Sequence, residues 1–186
     1  MRLAALVLLA GLLTGSPAQA QDAIASGLEG TLRSCERWIL DPAVKAGGPD
    51  GFPARVGMQG QMKRVQTLPE VLLPPAQFRA ANVYWHIAVA QNLGFYMVVS
   101  EQIPMCHITG GGVSDLQPSI EAVLASPGFT ERWNRYETKD EGGYFTTQFT
   151  NRGEPRLMMV VSRAKAPKGP TNGVQMFVTA LMQNGN

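Results

Sequence analysis

Asn82-Val83-Tyr84-Trp85-His86-Ile87-Ala88-Val89-Ala90 is the stretch on which the fold class turns. Val83, Trp85, Ile87 and Val89 alternate with Tyr84, His86, Ala88 and Ala90, the period of two that marks a strand with two distinct faces. A helix over 76–90 opened by Pro75 is the competing reading; the clean alternation and the β-branched and aromatic content favour the strand. Gln91-Asn92-Leu93-Gly94 then closes a hairpin into Phe95-Tyr96-Met97-Val98-Val99-Ser100. A turn around Glu101 to Pro104 leads on to Met105-Cys106-His107-Ile108-Thr109. Residues 82–109 therefore read as a three-stranded antiparallel meander.

Working back toward the N-terminus, residues 43–81 resist a regular reading. Gly47-Gly48-Pro49-Asp50-Gly51 is turn chemistry, Met62 to Leu68 reads as one edge strand, and Pro69, Pro74 and Pro75 forbid a long helix or a central strand. Before them, residues 22–40 form an amphipathic helix. Ile24, Leu28, Leu32, Cys35 and Ile39 draw one apolar stripe, Trp38 borders it, and Asp41-Pro42 ends it because the residue before proline disfavours helical geometry.

Working forward, Gly110-Gly111-Gly112 ends the meander and Ser114 or Asp115 caps a helix over 115–126, with Ile120, Val123 and Leu124 on its buried side. Pro127-Gly128 stops it, and Phe129 to Tyr136 hold a further helical turn or a strand. A C-terminal meander over 144–182 follows, with strands at Tyr144 to Thr150, Arg156 to Ala164 and Val174 to Met182. Short links between strands force antiparallel neighbours. The expected fold is thus α+β: a single, mostly antiparallel sheet of six or seven strands with helices packed on one face. The element order resembles that of PAS-like and profilin-like domains, a likeness of fold that carries no function.

The first 20 residues read as a signal peptide. Arg2 is followed by an apolar run from Leu3 to Leu13, a break at Thr14-Gly15-Ser16-Pro17, and the small-x-small site Ala18-Gln19-Ala20. The run is too short to span a bilayer, and no Cys follows the cleavage site for a lipid anchor. The expected mature chain is one domain, 21–186, periplasmic or secreted after cleavage following Ala20, with no transmembrane segment. In an oxidising space its two cysteines, Cys35 and Cys106, read most simply as one disulfide. Closing a loop of about 72 residues removes roughly 4 kcal/mol of denatured-state entropy. Two buried thiols, or a metal pair with the histidines, are the competing readings.

Formal net charge is +2, and +1 once Arg2 is removed, so the totals give no case for nucleic acid or an anionic membrane. The nearest basic patch, Arg163, Lys165 and Lys168, reads as a solvated loop. There is no Gly-x-Ser-x-Gly elbow, P-loop, His-Glu-x-x-His or dinucleotide-binding glycine motif. No cofactor is implied, and two histidines with at most carboxylates to help them make a thin metal shell.

One constellation merits weighing: His107, Thr109, Gly110, Gly111, Gly112 and Ser114. A glycine-rich turn feeding a helix leaves N–H groups free for an anion or carbonyl oxygen, and His107 and Thr109 share one strand face. The bland alternative is a tight turn, an ordinary cap and a hydrogen-bonded sheet histidine. Tyr84, Trp85, Tyr96 and Trp133 are either pocket lining or packing. The functional expectation is an exported, soluble, non-catalytic binding or interaction domain of the bacterial cell envelope, its partner an unknown small ligand or envelope protein. Two alternatives stand beside it: a small hydrolase or transferase using His107 beside Gly110 to Gly112, and a structural or inhibitory protein pairing through an edge strand.

Overall fold

A computed structural model describes residues 17–90, 93–112, 114–166 and 173–183. The chain opens with helix α1 (Pro17–Leu40), followed by two short helices, α2 (Pro42–Ala46) and α3 (Phe52–Arg55). Strands β1 (Met62–Val65), β2 (Asn82–Ala90), β3 (Leu93–Ser100) and β4 (Met105–Gly112) come next. Helices α4 (Gln117–Ala125) and α5 (Pro127–Thr130) precede β5 (Trp133–Glu141), β6 (Tyr144–Asn151), β7 (Leu157–Ala164) and β8 (Val174–Met182). All the strands pair antiparallel in one sheet of order β1-β2-β3-β4-β8-β7-β6-β5.

The α+β class and the single antiparallel sheet match the sequence reading, but the described residues form eight strands rather than six or seven. The chain runs helix-plus-meander twice, and β4 and β8, the last strand of each meander, pair at the centre. With four strands in each meander, this order has more strands than the two, a helix and then three of PAS-like and profilin-like domains. The C-terminal meander begins at β5, before residue 144. Alternation could not reveal β5, since only Trp133 of its residues is buried and a bulge between Arg135 and Glu137 breaks its period.

The first helix packs as its stripe demands. Ile24, Leu28, Leu32, Cys35 and Trp38 are buried in one core with Val83, Trp85, Ile87, Phe95, Met97, Ile108 and Val178. Ile39 packs half-buried against this core, and Trp38, read as bordering the stripe, is fully buried in it; its indole N–H donates to Ser100 O at 3.1 Å, and its ring meets Phe52 and Trp85 edge-on. Cys35 and Cys106 form a disulfide with their Cα atoms 5.6 Å apart, clamping α1 to β4. Gly27 allows a close approach, because a Cβ there would lie 2.6 Å from Val89 Cγ2. Glu36 ties the helix to the second half of the sheet, accepting from Arg132 at 3.1 Å and Asn151 at 3.0 Å.

Asp41 ends α1 and caps α2, its Oδ1 accepting from the backbone N–H groups of Ala43 and Val44. The residues of the expected signal peptide divide: 1–16 lie outside the described residues, and 17–20 form the first turn of α1, with 18–20 exposed. Among the described residues no helix is long and apolar enough to cross a membrane.

Candidate functional site

The strand alternation sends Val83, Trp85, Ile87, Phe95, Met97, Cys106, Ile108, Met176 and Val178 to the helix side of the sheet. The intervening residues form a second face, which meets the strap of residues 66–81 that joins β1 to β2. Two 3-10 turns, Glu70–Leu72 and Ala76–Phe78, shape that strap, and Pro74 is buried within it. Its hydrogen bonds include Leu72 N to Pro69 O, Leu73 N to Glu70 O, Phe78 N to Pro75 O and Arg79 Nε to Pro74 O. Arg79 also pairs with Glu70 at 2.7 Å.

A cleft of about 510 Å³ opens beside the strap, between Leu72 on one wall and Gly110, Gly111, Gly112, Gly173 and Val174 on the other. His86, Gly94, Tyr96 and Thr109 line it from the sheet. The His86 and Tyr96 rings pair across β2 and β3 with centroids 4.9 Å apart. His86 lies over Gly94, where a Cβ would come within 2.7 Å of its Nε2. Thr109 is fully buried, and its Oγ1 has no hydrogen-bond partner among the described residues.

On the other side of the strap, Leu73, Pro74, Pro75 and Arg79 wall a second cleft of about 550 Å³ lined by His107, Thr179, Phe177, Ser162, Thr146 and Tyr144. His107 Nδ1 lies 2.9 Å from Thr179 Oγ1, while Nε2 has no partner among the described residues. Burial strips water from the imidazole and lowers its pKa from 6.5 to about 4, so it is neutral at neutral pH. Ser162 and Thr146 share a hydroxyl hydrogen bond of 3.0 Å, and Tyr144 meets Phe177 edge-on at 5.6 Å.

The candidate residues are thus divided. Thr109, Gly110, Gly111 and Gly112 line the first cleft and His107 the second, on one strand face as expected. The glycines are not a loop with free N–H groups. They belong to β4 and pair with Leu93, Gly94 and Phe95 of β3, and Gly110 and Gly111 also pair with Met176 and Val174 of β8. The close approach needs glycine: a Cβ on Gly111 would sit 2.3 Å from Gly173 O. The anion site at a helix terminus is therefore corrected.

Helix α4 starts at Gln117 with Leu116 as a residue that offers no side-chain cap; Asp115 Oδ1 instead accepts from Gln117 N. Ser114 is exposed and contributes its backbone oxygen to Gln175 Nε2 at 2.7 Å. Val113 and Lys168 lie outside the described residues. The basic patch is not a solvated loop, since Arg163 is a buried β7 residue paired with Glu121, and Lys165 pairs with Asp140. Tyr96, one of the aromatics read as pocket lining or packing, does line the first cleft, while His86, on the same strand face, is a lining residue that sequence reasoning did not assign to the site; only the strap's path distinguishes them from Tyr84. Trp85 and Trp133 are core residues. Among the described residues no group of three or more His, Cys, Asp or Glu is placed to hold a metal.

No protein-family model, curated protein or solved structure matches this chain. What the arrangement offers chemically is a set of neutral donors and acceptors on a rigid sheet, beside aromatic rings.

Proposed function

We propose that the protein is an exported binding domain of the bacterial cell envelope that holds a small polar ligand, without converting it, in the cleft beside Thr109. The observation that carries this reading is the buried Thr109 hydroxyl, without a partner among the described residues, next to a cleft of about 510 Å³ that also presents His86 and Tyr96. A concave site that combines apolar surface with a few placed polar groups is what small-ligand recognition requires. The signal-like residues 1–20 and the Cys35–Cys106 disulfide support export.

Catalysis by His107 has less support. Its imidazole, with a pKa near 4 and Nδ1 engaged by Thr179, is a weak general base at neutral pH. Pairing through an edge is also less favoured, because β1 has four residues and β5 combines a bulge with charges of both signs. The test is a thermal-shift screen of the mature, unreduced protein against small polar metabolites and metal ions. At least one compound should raise the melting temperature of wild type and lose most of that shift in Thr109→Val. A screen in which nothing stabilises the protein overturns the reading.

A further inference from the structure

Register and alternation place Tyr84, His86, Tyr96, Val98, His107, Thr109, Phe177, Thr179, Val160, Ser162, Tyr144, Thr146 and Gln148 on the second face. Across these six strands, β2 to β4 and β6 to β8, that face carries no Asp, Glu, Lys or Arg. Charge enters at the margins: Lys63 of β1 opposite His86, Glu137, Lys139 and Glu141 of β5 opposite Gln148, Thr146 and Tyr144, and Arg79 of the strap. His107 and Thr109 stand two residues apart on β4, about 7 Å. Each buries a polar atom without a partner among the described residues, and the strap passes between the clefts they line.

We propose that the two clefts are the ends of one binding site for a short, neutral oligosaccharide, with strap 66–81 lying over its middle as a displaceable cover. This rests on the binding reading given above and names the ligand class. A floor without charge offers an anion or cation no compensation for lost water, which disfavours charged ligands. Sugar rings present apolar C–H faces and a fringe of hydroxyls. The rings of His86 and Tyr96 at one end, and of Tyr144 and Phe177 at the other, supply flat apolar surfaces. Between them lie the hydroxyls of Thr109, Thr179, Ser162 and Thr146.

A hydroxyl also suits His107 in either tautomer. If Nδ1 holds the proton and donates to Thr179, Nε2 accepts; if Thr179 donates, Nε2 carries the proton and donates. From β3 to β6 the face crosses four interstrand steps, about 19 Å, which calls for a chain of rings rather than one. The strap's own hydrogen bonds and its Arg79–Glu70 pair hold it together as a unit. It is anchored at its C-terminal end, where Ala80 O accepts from Ser100 Oγ and Ala81 O from Glu101 N.

The experiment uses the mature, disulfide-intact protein on an array of neutral gluco-, chito- and manno-oligosaccharides and of acidic ones, followed by calorimetric titration and amide exchange with the strongest neutral binder. Binding should weaken at least about tenfold in Thr109→Val and again in His107→Phe, and amide exchange in residues 70–79 should rise on binding. Melting curves of both variants establish that they are folded. Absence of binding to every neutral oligosaccharide, preference for acidic ones, or indifference to both substitutions overturns the proposal. Unchanged or slower exchange in the strap overturns the displaceable cover. A metabolite of another class, sensitive to Thr109→Val but not to His107→Phe, overturns the saccharide inference and leaves the Thr109 cleft standing.

Discussion

Thr109→Val is the substitution on which the reasoning about the site is most exposed. Thr109 sits in the middle of β4, opposite Tyr96 on β3 and Phe177 on β8, with no exposed surface and no partner for Oγ1 among the described residues. Valine has the same shape and at least as strong a strand preference, so the exchange removes a hydroxyl and leaves the packing alone. A buried polar group left without a hydrogen bond costs about 1–3 kcal/mol. Removing it should therefore stabilise the ligand-free protein by that amount, or about 2–12 °C in melting temperature for a domain of this size. Thr109→Ser keeps the hydroxyl and deletes the methyl, so it should lower stability by about 1 kcal/mol. Calorimetry and urea unfolding of the three mature proteins at neutral pH, disulfide intact, read both changes. If Thr109→Val melts at or below wild type, the hydroxyl has a partner in solution and the premise of an unanswered polar group fails.

The disulfide and the buried histidine give two further tests. Replacing Cys35 and Cys106 together by Ala should cost about 4 kcal/mol, because the bridge spans a sequence separation of 71 residues. Equal urea midpoints for oxidised wild type and the double variant would contradict a stabilising clamp. For His107, the folded pKa of about 4 lies below the unfolded 6.5, so the unfolded chain takes up a proton that the folded chain refuses as pH falls between them. The contribution is complete above pH 6.5, shrinks through the window and is lost below about 4, a total of about 3 kcal/mol. His107→Phe should flatten that part of the pH–stability curve, and parallel curves for the two proteins would refute the burial argument.

The sequence spoke clearly where one face of an element is buried and the other is not. Helix α1, strand β2 and the first half of β3 have that contrast, and Cys35 sits on the inward stripe that lets it reach Cys106. Strand β5 lacks it, because beyond Trp133 both of its faces are exposed. Gly110 to Gly112 misled for a different reason. Local propensity reads three glycines as a break, but pairing with β3 on one side and with β8 on the other carries the strand through them, and only their missing side chains allow Gly173 to approach. The shared face of His107 and Thr109 was legible from alternation alone. The strap's path across that face was not, because residues 66–81 carry no periodicity and their position is set by tertiary packing.

The orphaned polar atoms of this protein are not equivalent, and the difference locates the site. Arg132 and Arg163 also bury nitrogens without partners among the described residues, but each guanidinium already meets a carboxylate, Glu36 or Glu121. A group with five N–H donors commonly leaves some unused once its charge is neutralised. Thr109 has no such excuse, since its single hydroxyl is unanswered among the described residues, and the neutral imidazole of His107 has one nitrogen bonded and the other without a partner among them. Both lie on β4 at the junction of the two meanders, where pairing on each side prevents the backbone from shifting toward a partner. Valine in place of Thr109 would make the resting protein more stable at no cost in strand geometry. A hydroxyl without a partner among the described residues, at the centre of the sheet and beside a cleft, is a group that a bound ligand would satisfy.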